Sequence, residues 1–228
     1  MKNTYKYYIA AAIVIILWFL WVVGANYIKY QNDLESKESN LSNTQNIWEA
    51  YFAGWCFWCV ESGFEKYKDE WVIDVVSWYA GGNTVNPTYK EVWTWNTGHR
   101  EAVKVLYDTS KISYEDLLKI FWRLVNPTDN DGQYVDRGFP YTTAIFYQTS
   151  EEKEAAEASK NQLSSSWRYD LELVTPIIPY SNFYDAEDYH QDFYIKSPLR
   201  YNTYTNASGR KEYLSSIWWD DVHYDIVK

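Results

Sequence analysis

The chain has 228 residues, 46% of them apolar, and a formal net charge of −10 at pH 7. That length and apolar fraction support one globular domain with appendages, and the acidic balance excludes a nucleic-acid partner, which calls for clustered Lys and Arg. Two cysteines cannot build a disulfide scaffold and read as reactive groups.

Lys2 and Lys6 precede an uncharged apolar run at residues 7–25. At about 1.5 Å rise per residue the run can cross a hydrocarbon core of roughly 30 Å. Positive charge ahead of it places residues 1–6 in the cytoplasm and everything after the run outside. Val23-Gly24-Ala25 also fits a signal-peptidase site, so the segment is either a transmembrane signal anchor or a cleaved signal. The chain is accordingly expected to be anchored with its domain in the cell envelope, or secreted. Residues 26–46 are rich in Asn, Ser, Glu and Lys and read as a flexible linker. A folded domain is expected over 47–200, followed by a C-terminal tail at 201–228.

Within the domain, residues 50–53 form a short strand candidate, and Val60, Phe64 and Tyr67 have helical spacing. Residues 72–76 are apolar and β-branched, and 102–107 alternate, so both predict strands. Ser113 carries a capping signal before an amphipathic helix at 114–125. A strand at 141–148, a polar helix at 151–165 and a strand at 171–178 ending at Pro179 follow. Irregular alternation of strands and helices makes the fold class α+β.

The chemistry concentrates in Gly54-Trp55-Cys56-Phe57-Trp58-Cys59-Val60-Glu61. A Cys at a helix N-terminus is set up to ionise, because free backbone N–H groups favour the thiolate. Phe57 and Trp58 add an apolar wall. Taken alone, Cys-x-x-Cys also fits half a zinc site, without further ligands in view, or a thioredoxin-like redox pair.

This segment is similar to the Gly-Cys-Phe-Trp signature of the class A peptide methionine sulfoxide reductases. The resemblance continues, in the family's order, through Tyr79-Ala80-Gly81-Gly82, Asn86-Pro87-Thr88-Tyr89, Gly98-His99-Arg100-Glu101-Ala102-Val103, Asn126-Pro127-Thr128, Asp136-Arg137-Gly138 with Tyr141, and Ala186-Glu187-Asp188-Tyr189-His190-Gln191. It implies a ferredoxin-like two-layer core with extensions and reduction of methionine S-sulfoxide, free or in proteins. By the same resemblance, Cys56 is the nucleophile that becomes a sulfenic acid, and Glu101 is the proton donor. Tyr89 and Tyr141 hydrogen-bond the sulfoxide oxygen, Phe57 and Trp58 pack on the substrate methyl, and Asp136 lines the same site. His99 and His190 read as structural. No metal and no cofactor are assigned.

Many family members clear the sulfenic acid with cysteines in a C-terminal tail, but no Cys follows Ser197 here. Cys59 is the internal candidate for a resolving thiol; the alternative is direct reduction by an external thiol. In either case a thioredoxin-like reductant is implied.

The sequence departs from the family pattern in one systematic way. Trp55, Trp71, Trp78, Trp95 and Trp167 stand where that pattern has Gly, with Trp219 a sixth candidate, in a chain of 13 Trp and 9 Gly. Trp58 and Trp122 match family Trp positions. A gene in which UGA encodes glycine, translated with a table that reads UGA as tryptophan, produces this pattern. If the indoles are real, Trp55 and Trp95 are expected to strain or block the pocket. Two rival functions follow: a non-catalytic sulfoxide-binding remnant with an occluded site, and a thiol–disulfide oxidoreductase using Cys56 and Cys59. Thr142-Thr143, where Arg-Ser commonly follows the tyrosine, departs from the pattern at the pocket rim.

Overall fold

The computed structural model describes residues 46–68 and 71–225. The expected anchor at 7–25 lies outside the described residues, as does the linker up to Gln45.

A six-stranded sheet organises the domain, in the spatial order β7-β6-β1-β3-β2-β8. Its centre is β1 (Ile47–Ala53) paired antiparallel with β3 (Arg100–Asp108) and with β6 (Ala144–Tyr147). On the far side of β3 lies β2 (Val72–Ala80), also antiparallel, in a register that sets Tyr79 opposite Glu101. The edges are β7 (Ile177–Pro179), parallel to β6, and β8 (Phe183–Asp185), antiparallel to β2. A separate two-residue ladder joins β4 (Gly132–Gln133) and β5 (Asp136–Arg137).

Strand alternation decides which side chains face which layer. Ala50 and Phe52 of β1 belong to the main core, where the Phe52 ring stacks on Phe64 of α1 (Phe57–Glu65) and on Phe121 of α3 (Tyr114–Trp122). Tyr51 and Ala53 point the other way, into a smaller cluster with Ala80, Ala102, Ala144 and Phe146. The α3 helix starts where its sequence signal places it. Ser113 and Asp116 form a reciprocal capping box, which satisfies two otherwise free N–H groups. It stops at Trp122, three residues before the expected end, where the Arg123 and Leu124 N–H groups turn to the Ile120 and Phe121 carbonyls.

The polar helix is α4 (Ser150–Ser164), opened by the Thr149 side chain accepting from Glu152 N–H. The expected strand at 171–178 is reduced to Ile177–Pro179. Leu171 is exposed, and Pro176 has no N–H to give a ladder, although its carbonyl accepts from Ile145. The expected strand at 141–148 loses its start to a 3₁₀ turn at Phe139–Tyr141. A short helix not read from the sequence, α2 (Tyr89–Trp93), follows a second capping box, Thr88 with Glu91.

The stretch read as a tail is helical. After the single turn α5 (Phe193–Lys196), α6 (Pro198–Ala207) and α7 (Arg210–Trp218) pack back on the domain, with Leu214 and Trp218 in the main core.

Four of the six anomalous tryptophans have left-handed backbone: Trp55 (φ 64°), Trp95 (φ 67°), Trp167 (φ 57°) and Trp219 (φ 46°). Non-glycine residues are uncommon there, and those that occur are enriched in Asn and Asp. Trp95 follows the C-cap of α2, Trp167 lies two residues beyond the C-cap of α4, and Trp219 is the C-cap of α7. Helix ends of this kind are the ordinary places for a left-handed glycine. Trp167 is 92% and Trp219 74% exposed, so these two indoles gain little burial to offset the backbone cost. Trp71 and Trp78 have no positive φ. Trp71 stacks on Tyr67, and Trp78 lies under the Lys104 ammonium.

Candidate active site

The chain leaves β1 at Ala53 and passes Gly54, where a Cβ would meet Val125 Cγ1 at 2.5 Å; only a glycine fits that approach. The left-handed turn at Trp55 then delivers Cys56 to the N-cap position of α1. Glu101, the second residue of β3, reaches this helix start, and the Phe57 N–H donates to its Oε2 at 3.0 Å. Tyr89 comes from the first position of α2, Tyr141 from the end of the 3₁₀ turn, and Asp136 from β5. These five residues, with Phe57 and Trp58, line one cavity of about 210 Å³. All the candidate residues except Cys59 line it. Cys59 is fully buried behind Cys56, one helical turn along, with its N–H on the Cys56 carbonyl at 3.0 Å. Both thiols are reduced.

The supporting network explains the later sequence blocks. Glu187 accepts from the Tyr89 N–H (2.9 Å) and the Tyr79 hydroxyl (2.7 Å), fixing the start of α2. His190 Nδ1 accepts from the Trp58 indole at 3.0 Å, and its ring packs against Phe57 and Tyr89. Burial holds that imidazole neutral by pulling its pKa down to about 4. Gln191 clamps β2, accepting from Ser77 N–H and donating to the Ser77 and Ala186 carbonyls. His99 has both ring nitrogens on backbone, Nδ1 accepting from Gly82 N–H and Nε2 bonded to the Thr84 carbonyl. Both histidines are therefore structural, as expected.

Burial in the cavity raises the pKa of both its acids. Burial raises Glu101 well above the carboxylate range, against the lowering effect of the Phe57 N–H; it is 2% exposed. Burial also raises Asp136, against hydrogen bonds from Tyr204 and from the Trp55 indole. The same holds for the nucleophile, and this corrects the expectation of a resting thiolate. Burial, then the Cys59 thiol, then the nearby Glu101 and Asp136 push the Cys56 thiol well up. The helix N–H that could have favoured a thiolate is given to Glu101 instead.

Sequence reasoning missed two lining residues of α6: Tyr204, which fell in the stretch read as tail, and Arg200, the last residue of the expected domain, which no motif singled out. It also overstated the tryptophans. The Trp55 indole sits behind the cavity wall, stacking on Tyr204 and donating to Asp136 at 2.5 Å, and Trp95 packs over Gly138. Neither lines the cavity, so the expected occlusion does not occur. Thr142 and Thr143 serve structure: the first accepts from Arg100 Nε at 2.8 Å and the second bonds Thr175.

The family profile described as peptide methionine sulfoxide reductase matches residues 48–222. The chain belongs to this family. It is 46% identical over 169 residues, 74% of its length and 94% of the relative's, to the Staphylococcus aureus peptide methionine sulfoxide reductase MsrA 2. The same figures hold for Bacillus subtilis peptide methionine sulfoxide reductase MsrA. Among solved structures, reduced Mxr1 from Saccharomyces cerevisiae superposes with a TM-score of 0.63 at 28% identity, covering 68% of this chain and 87% of that one. Methionine sulfoxide reductase A of Corynebacterium diphtheriae gives 0.59 at 28% identity, covering 69% and 78%. The reductase fold is thus a mixed sheet with helices, and its activity is thiol-dependent reduction of methionine S-sulfoxide.

Proposed function

We propose that this cavity reduces methionine S-sulfoxide through a Cys56 sulfenic acid. The observation that carries the assignment is the convergence of a buried thiol, a buried carboxylic acid and two phenols on one small cavity. Glu101, protonated at rest, gives its proton to the sulfoxide oxygen while Tyr89 and Tyr141 hydrogen-bond that oxygen. Cys56 sulfur attacks the activated sulfur as its own proton passes to the Glu101 carboxylate. The sulfur–oxygen bond of the substrate breaks, the oxygen ends on Cys56 as sulfenic acid, and methionine leaves reduced by two electrons. Phe57 and Trp58 hold the methyl group, and Asp136 keeps a polar wall beside it.

Cys59, packed against the Cys56 thiol, then attacks the sulfenic sulfur, expelling water and leaving a Cys56–Cys59 disulfide. A thioredoxin-like protein reduces that disulfide. Both cysteines sit in the first turn of α1, so closing the bridge requires that turn to loosen. The four strands β6-β1-β3-β2 are read as a ferredoxin-like two-layer core, with the edge strands and the C-terminal helices as extensions. Residues 7–25 anchor the chain and 26–46 tether the domain outside the membrane, unless the segment is cleaved and the domain secreted.

The test is chemical trapping. Cys59→Ser protein given one equivalent of methionine S-sulfoxide without reductant should yield a dimedone adduct at Cys56 and one methionine. Methionine release with no adduct at Cys56 would refute the intermediate.

A further inference from the structure

We propose that Arg200 is a specificity residue at the mouth of this cavity, receiving the free α-carboxylate of a methionine sulfoxide. The inference rests on the site assignment above and adds to it a preference among substrates.

Arg200 is the third residue of α6 and lines the cavity together with Cys56, Trp58 and Tyr204. Its guanidinium lies 5.7 Å from the Phe193 ring, which in turn stacks on Trp58 at 3.8 Å. The charge therefore stands over the platform that holds the substrate methyl. Among the described residues it makes no ion pair or side-chain hydrogen bond, although the chain is strongly acidic overall. Neither carboxyl group lining the cavity pairs with it: Glu101 accepts from Phe57 N–H, and Asp136 from the Trp55 indole and Tyr204. Burial holds Glu101 and Asp136 towards their protonated forms, and the cysteine and tyrosines are raised as well. Arg200 is the one basic side chain among the residues lining the cavity.

Substrate geometry places a carboxylate nearby. With the sulfoxide at Glu101 and the tyrosines, two methylene groups carry the chain out to the α-carbon, which sits at the mouth. There a free or C-terminal methionine sulfoxide presents an anion, whereas an internal residue presents a neutral amide. A guanidinium pairs with a carboxylate through two parallel hydrogen bonds.

The experiment compares N-acetyl-methionine S-sulfoxide with its N-methylamide, which differ at the α-carboxylate alone. Wild type should favour the acid in kcat/KM by roughly two- to fivefold, the range for an exposed ion pair, mainly through KM. Arg200→Ala should bring the acid-to-amide ratio close to one, Arg200→Glu should push it below one, and added salt should compress the wild-type ratio. Arg200 is exposed, so these variants are expected to fold. A wild-type ratio near one, or a ratio that Arg200→Ala leaves in place, would overturn the proposal. Inactivity of wild type on both compounds would instead refute the underlying site assignment.

Discussion

The backbone N–H of Phe57 donates to Oε2 of Glu101 at 3.0 Å, tying the acid to the residue that directly follows the nucleophile. The bond holds the Glu101 carboxyl group of β3 against the first turn of α1, beside the thiol. The bond also occupies a donor at the helix start, while burial, the Cys59 thiol and the nearby Glu101 and Asp136 raise the Cys56 thiol.

Glu101→Gln keeps this contact and removes the transferable proton. Turnover is expected to fall by roughly 10²–10⁴-fold with little change in KM. Wild-type activity should also decline as pH rises through the elevated Glu101 pKa, and that alkaline limb should disappear from the residual activity of the variant. Steady-state rates from pH 5 to 9 check both points.

Glu61 offers a stability test away from the chemistry. It is fully buried in α1, one of its oxygens has no partner, and burial raises its pKa to about 8. A raised carboxyl binds more protons folded than unfolded. Its contribution is complete below the unfolded value of roughly 4.3 and is lost as pH rises through about 8. Glu61→Gln, which mimics the protonated form, should therefore gain stability relative to wild type between pH 5.5 and 7.5, by on the order of 1 kcal/mol per pH unit. Denaturant titrations at the two pH values measure the gap. A gap independent of pH would contradict the assignment.

Cys59→Ser should release about one methionine per enzyme in a single turnover and then stall with thioredoxin as reductant. Normal steady-state turnover with thioredoxin would show that the external thiol reduces Cys56 directly.

The tryptophans at positive φ make a genetic prediction. Codons for Trp55, Trp95, Trp167 and Trp219 are expected to be UGA, as are those for Trp71 and Trp78. Those for Trp58 and Trp122 should be UGG. Strain of about 1–3 kcal/mol at each left-handed site means that replacing all four by Gly should raise the melting temperature by at least several degrees. UGG codons throughout, or a quadruple Gly variant that melts lower, would refute the glycine reading.

Much of the site is legible in the sequence, because short blocks with fixed chemistry carry it: Cys56 with Phe57 and Trp58, Glu101 behind Gly98-His99, and Tyr89 after Asn86-Pro87. Sheet strands with clear alternation, such as β3, were legible for the same local reason. What escaped depended on distant contacts. The roles of Glu187 and His190 in fixing Tyr89 and Trp58 exist across about one hundred residues of chain. Helices α6 and α7 have weak amphipathic patterns and dock through a few scattered residues, Tyr201 and Tyr204 beside Trp55 and the cysteines and Leu214 and Trp218 in the main core. The protonated state of Cys56 could not be read either, since it follows from burial and from the destination of one N–H. The α2 helix is different: its Thr88–Glu91 capping box was present in the sequence and was the signal that could have found it.

The most direct measurement of the central claim is epimer-resolved reduction by residues 47–228 with dithiothreitol, comparing wild type with Cys56→Ser. Wild type should convert the S epimer of N-acetyl-methionine sulfoxide to the sulfide and leave the R epimer untouched, while Cys56→Ser converts neither. Equal consumption of both epimers, or activity that persists without the Cys56 thiol, would contradict the account.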